Sequence, residues 1–186
     1  MSKIILITGG QRSGKSSYAE RMALQLSPHP VYMATAHVWD EEFRERIRRH
    51  QERRGPCWTN IEEERQLSRH DVGGRVVLVD CLTLWCTNYF YSADHQGLTE
   101  DPASPTLPDV DLVLKEVCAE FDNLVSQDAT FIFVTNEIGW GGVSANALQR
   151  RFTDLLGWFN QYVAAKADTV ILMVSGIAVK LKKIED

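Results

Sequence analysis

Residues 9 to 16 read GGQRSGKS, directly after the apolar run IILIT (4–8) and at the head of a helix-patterned stretch from Ser16 to Leu26. The segment satisfies G-x-x-x-x-G-K-[ST] with Gly9, Gly14, Lys15 and Ser16. A buried strand that turns on glycine into a helix is the context in which this pattern has a mechanism. The glycines let backbone N–H groups turn inward around phosphate oxygens, and the helix N-terminus adds positive partial charge. Gly10, Gln11, Arg12 and Ser13 complete the cradle. Lys15 would neutralise the β and γ phosphates of a nucleotide, and Ser16 would hold Mg²⁺.

Such a loop requires the strand beneath it to sit inside a parallel sheet, and the remaining chain supplies the other strands. VYMAT (31–35), RVVLVD (75–80), TFIFVTN (130–136) and TVILMVS (169–175) are unalternating, β-branched runs suited to strands buried on both faces. Helix-patterned segments follow them: Asp40 to Arg54, LTLWCTNYFY from Leu82, and Ala145 to Ala167. Val110, Val113, Val117, Phe121 and Leu124 form one core stripe, and Leu148, Phe152, Leu155, Phe159 and Val163 another. The order predicts a single doubly wound α/β domain over residues 1–186. The stretch from Gly55 to Gly74 carries no clear pattern, and SADHQGLTEDPASPTLP (92–108) reads as a long loop, either a lid or a tolerated insertion.

A phosphate loop calls for an acidic residue at another strand end to complete a magnesium site. VVLVD offers Asp80, which could equally cap the helix beginning at Cys81-Leu82. Thr135-Asn136-Glu137 would emerge on the same sheet edge, as site residues or as a turn before Gly139.

Composition narrows the class. A net charge of −5 argues against general nucleic-acid binding. Cys57, Cys81, Cys86 and Cys118 show no CxxC or Cys/His metal spacing and read as reduced thiols of a cytosolic protein. No run of 18 apolar residues and no signal-peptide core are found, so a cytoplasmic location without a membrane span is expected.

Against that acidic balance, RIRRHQERRG (46–55) packs five arginines around His50. On a helix, Phe43, Ile47, His50 and Arg54 share one face. His50 could be a satisfied core histidine, and the helix a solvated face with Glu42–Arg46 and Glu45–Arg49 pairs. The run has no interleaved aromatics, which disfavours nucleic acid. The remaining reading is covalent catalysis. Guanidinium groups keep an imidazole neutral by penalising its charged form, and they also bind a triphosphate and the departing pyrophosphate.

ITGGQRSGKSSYAE, VYMATA, RIRRHQERRG, WTNIEE, VVLVDCLTLWCTN, FVTNEIGWGGV and VSGIAVKLK, taken in order, resemble the bifunctional adenosylcobinamide kinase/adenosylcobinamide-phosphate guanylyltransferase family over nearly the whole chain. The resemblance implies a RecA-like P-loop NTPase fold, a mostly parallel sheet with helices on both faces, and a homotrimer. It implies phosphorylation of the aminopropanol hydroxyl of a cobinamide-type corrinoid with ATP or GTP, then transfer of GMP from GTP through a GMP–histidine intermediate. The matching histidine is His50, and Lys15 is the second catalytic candidate. Nucleotide contacts would fall on the phosphate loop, on Ala34, Thr35 and Ala36, on Gln51, Glu52, Arg53 and Arg54, and on Glu62 and Leu84. Mg²⁺ would lie at Ser16 and Asp80. The alternatives are a kinase of another small hydroxyl compound and a nucleotide-binding switch.

Overall fold

A computed structural model describes residues 2–37, 55–92 and 107–183. Seven strands form one sheet in the order β3-β2-β4-β5-β1-β6-β7. They are β1 (Lys3–Gly9), β2 (Val31–Ala34), β3 (Thr59–Glu62), β4 (Val76–Asp80), β5 (Thr130–Val134), β6 (Thr169–Val174) and β7 (Ile177–Lys183). β1 to β6 run parallel, and β7 returns antiparallel to β6. The helices are α1 (Lys15–Leu26), α2 (Leu82–Phe90), α3 (Val110–Val125) and α4 (Ala147–Lys166).

The apolar runs form central strands because successive side chains enter two different cores. Ile4 and Leu6 of β1 join Val77, Val79, Phe131 and Phe133 under α2, α3 and α4. Ile5 and Ile7 point the other way, joining Leu78, Ile132 and Val134 beneath Ala19 and Ala23 of α1. The expected helical stripes face the first core: Val113, Val117, Phe121 and Leu124 are all buried, as are Leu155, Phe159 and Val163. Phe121 meets Phe133 at 5.2 Å and Phe159 at 6.1 Å between ring centroids, tying α3 to the sheet and to α4. Asp109 and Asn146 cap α3 and α4, each accepting two backbone N–H bonds.

The helix expected over 40–54 and most of the loop 92–108 lie outside the described residues. Two elements were not legible. β3 falls within the unpatterned 55–74 stretch: three of its four residues are exposed, so no apolar period marks it. β7 follows a two-residue turn, Ser175-Gly176, both with positive φ (50° and 85°), between the paired Val174 and Ile177. That is hairpin geometry, and Ser-Gly between apolar alternations was its sequence signal.

β1 lies between β5 and β6, and β5 separates it from β4, the strand that ends in Asp80. The phosphate loop and Asp80 therefore emerge at the same carboxyl edge, one strand apart.

Candidate active site

The first glycine of the loop is fixed by crowding. Gly9 has φ 148°, and a Cβ there would stand 2.4 Å from the Met173 carbonyl oxygen of β6. Gly14 turns left-handed at φ 93° to become the N-cap of α1, offering no side-chain cap of its own. The loop backbone is held from both sides. The Gly176 N–H, at the β6–β7 hairpin tip, donates to the Ser13 carbonyl at 2.9 Å, and the Glu137 N–H donates to the Gly9 carbonyl at 3.2 Å. The first N–H groups of α1, which have no partner within the helix, adjoin this loop.

Lys15 is only 6% exposed. Its Nζ donates to the Gly10 carbonyl at 2.6 Å. Burial lowers the pKa of this ammonium, and nearby Cys81 and Asp80 act in the opposite direction. Ser16, half-buried, sits in the first turn of α1, while Gln11 and Arg12 are exposed and Ser13 is buried.

Asp80 is not the cap of α2. The N-cap is Cys81, with no side-chain cap bond, and Asp80 Oδ2 accepts the Tyr32 hydroxyl at 2.9 Å instead. The Cys81 thiol is buried, which pushes its pKa up to about 12 and leaves it inert as a nucleophile. Thr35 is fully buried, and its hydroxyl latches Cys81: it donates to the carbonyl at 2.8 Å and accepts from the N–H at 2.9 Å. Its side chain is thus committed to the turn behind Asp80, and half-buried Ala34 and Ala36 flank it. Asn88 reinforces the same corner by donating to the Thr35 and Glu64 carbonyls.

Glu62 is exposed at the end of β3, beside Glu63, Arg65, Arg69 and Tyr89 in an open cleft of about 540 Å³. The Arg65 guanidinium lies 4.6 Å over the Tyr89 ring, fixing one wall. Leu84 packs against the α1-side core. His50, Gln51, Glu52, Arg53 and Arg54 lie outside the described residues.

Two strand-end residues left open by the sequence behave differently. The Asn136 amide donates to the Thr83 hydroxyl at 3.1 Å, which ties β5 to α2. Glu137 turns to β1, its Oε1 accepting the Thr8 hydroxyl at 2.8 Å. No sequence signal pairs Thr8 with Glu137 across 129 positions.

Sheet order, loop and strand-end acid together define a phosphate-loop nucleotide-binding domain of RecA-like fold. The family model for cobinamide kinase / cobinamide phosphate guanyltransferase matches residues 5–181, and the chain belongs to that family. It is 37% identical to the bifunctional adenosylcobalamin biosynthesis protein CobP of Pseudomonas aeruginosa, over 95% of this chain and 96% of the relative. It is 36% identical to the corresponding protein CobU of Escherichia coli, over 96% and 99% respectively. A solved structure, the PH0250 protein of Pyrococcus horikoshii, has a TM-score of 0.50 at 9% identity, covering 99% of this chain and 88% of its own, and shares the fold alone.

Gly9→Ala tests the crowding at the loop. The Cβ must push β1 from the β6 backbone at a left-handed φ, costing about 2–4 kcal/mol. A thermal melt should show Tm lowered by roughly 5–15 °C, with nucleotide binding lost in a titration at low temperature. An unchanged melt with unchanged binding would show that the loop does not need glycine here.

Proposed function

We propose that this chain carries out the two reactions of its family on one phosphate-loop scaffold. The aminopropanol hydroxyl of a cobinamide-type corrinoid attacks the γ phosphate of ATP or GTP, giving cobinamide phosphate. GMP is then transferred from GTP onto that phosphate, giving GDP-cobinamide. The observation that carries this reading is the built phosphate loop, with a desolvated Lys15 ammonium at its mouth, in a chain that matches the family from residue 5 to 181.

Lys15 binds the bridging region of the β and γ phosphates and offsets the charge that develops as the bond between them breaks. Ser16 and Asp80 are the residues assigned to Mg²⁺. Both donors are hard oxygens, and Asp80 stands near enough to Lys15 to raise its pKa. Among the described residues no cluster of three or more His, Cys, Asp or Glu could hold a metal by itself. When bound, Mg²⁺ would supply neutralisation of the phosphate charge.

His50 is assigned as the GMP carrier. Its imidazole nitrogen attacks the α phosphorus of GTP, a P–N bond forms, and pyrophosphate leaves with the electron pair of the broken P–O bond. A phosphate oxygen of cobinamide phosphate then displaces the histidine. The arginines that flank His50 in the sequence are assigned to receiving the pyrophosphate charge. Gln51 to Arg54, Ala34 to Ala36, Glu62 and Leu84 are assigned to nucleotide contact by family resemblance. The same resemblance supports a homotrimer and a cytoplasmic location; no described helix is long and apolar enough to cross a membrane.

His50→Ala should separate the two reactions on one folded sample. Cobinamide phosphate should accumulate from cobinamide and ATP, while GDP-cobinamide falls below detection. Retained GDP-cobinamide formation, or equal loss of both products, would remove His50 from the carrier role.

Asp80→Asn should keep an acceptor for the Tyr32 hydroxyl and so keep the fold, while removing charge from the magnesium side. Kinase turnover should fall about 10²-fold, and more Mg²⁺ should be needed for half-maximal rate. Superimposable Mg²⁺ titrations of variant and wild type would leave Asp80 a purely structural partner of Tyr32.

A further inference from the structure

The phosphoryl-transfer step needs a group to orient the attacking hydroxyl and take its proton, and none of the residues assigned so far does this. Lys15 and the loop handle the phosphates, Asp80 lies on the metal side, and the inert Cys81 thiol cannot serve. The candidates are the polar side chains that reach the carboxyl edge of the sheet beside β1.

Three of them belong to the end of β5. Thr135 is fully buried and donates its hydroxyl to Asn160 Oδ1 at 2.7 Å. Asn136 is turned toward α2 by Thr83, and its own carbonyl is held by Asn160 Nδ2 at 3.2 Å. Both are committed to packing the corner. Glu137 is different. The β1–β5 pairing continues past the strands, with the Thr135 N–H on the Ile7 carbonyl and the Glu137 N–H on the Gly9 carbonyl. Glu137 is thereby set alongside the first residue of the phosphate loop. The Thr8 hydroxyl holds Oε1 at 2.8 Å, and among the described residues Oε2 has no hydrogen bond or ion pair. Lys15 Nζ reaches the Gly10 carbonyl, next along the chain from the Gly9 carbonyl that Glu137 N–H reaches. The Lys15 ammonium and the Glu137 backbone therefore attach to consecutive peptides of the loop, while the Glu137 carboxylate is held by Thr8.

The chain beyond Glu137 opens outward. A short turn, Gly139–Gly141, presents Trp140 at 70% exposure, followed by Val143 at 90%. Trp140 and Val143 thus give the described surface just beyond Glu137 an exposed apolar character.

From this geometry we infer that Glu137 is a further catalytic residue, the general base of the kinase step, acting on the acceptor hydroxyl. The assignment rests on the cobinamide kinase reading above. Glu137 Oε2 accepts the hydroxyl hydrogen bond and takes the proton as the hydroxyl oxygen forms its bond to the γ phosphorus. The bond from that phosphorus to the bridging oxygen breaks, and the nucleoside diphosphate leaves with the electron pair. The proton passes from Glu137 to solvent once the product departs. Thr8 keeps the other carboxylate oxygen occupied and so fixes which oxygen faces the acceptor.

Glu137→Gln tests this, because the amide oxygen still accepts the Thr8 hydroxyl while the base is gone. Kinase turnover on cobinamide with ATP should lose about 10²–10⁴ in kcat, with the KM for ATP little changed. GMP transfer from GTP to supplied cobinamide phosphate should stay close to wild type. Thr8→Val, which breaks the hydrogen bond and keeps the carboxylate, should lose far less kinase kcat than Glu137→Gln. Near-normal kinase kcat in Glu137→Gln, equal loss of both reactions, a loss confined to the KM for ATP, or equal kinase losses in Thr8→Val and Glu137→Gln would each overturn the assignment. Wild-type protein that fails to phosphorylate cobinamide would instead overturn the kinase reading beneath it.

Discussion

The loop between β1 and α1 can cradle phosphate only if its carbonyls are held away from the anion, and two backbone hydrogen bonds do this. One comes from Gly176 at the β6–β7 hairpin tip to Ser13, the other from Glu137 beyond β5 to Gly9. Each donor lies just past the end of a strand adjacent to β1, so the loop's shape depends on β1 being a central strand. That in turn depends on Ile4 to Ile7 feeding both cores alternately, with Ile5 and Ile7 on one side and Ile4 and Leu6 on the other. The antiparallel β7 is thus more than an edge: its turn is one of the loop's two supports.

The same arrangement sets the electrostatics. Lys15 is desolvated by the loop that surrounds it, and Asp80, one strand removed from β1, partly compensates. An ammonium with little water around it interacts strongly with an arriving phosphate, since the local dielectric is low. Thr35 fixes the turn after Asp80 by bonding both polar groups of Cys81, and Tyr32 fixes the carboxylate itself. These interactions hold the turn after β4, and with it Asp80, one strand away from β1, which leads into Lys15. Glu137, just past the end of the intervening β5, is the residue we infer to face the acceptor.

Much of this was legible in the sequence because burial leaves a pattern. IILIT, RVVLVD, TFIFVTN and TVILMVS became β1, β4, β5 and β6, and the stripe from Val113 to Leu124 became the buried face of α3. GGQRSGKS was legible because glycine and lysine are demanded by geometry and charge at fixed spacing. β3 was not, since an exposed four-residue edge strand carries no period. Strand-end roles were only half visible. The sequence placed Asp80, Asn136 and Glu137 at one sheet edge but could not divide them, because the dividing contacts to Tyr32, Thr83 and Thr8 are 48, 53 and 129 positions away.

The central claim is that one nucleotide scaffold serves both a direct phosphoryl transfer and a covalent GMP relay. Incubation of the protein with GTP labelled at the α phosphate tests it most directly. The account predicts label bound to the protein through an acid-labile, base-stable bond, formed with release of pyrophosphate and chased into GDP-cobinamide when cobinamide phosphate is added. Formation of GDP-cobinamide with no protein-bound label at any time would contradict it.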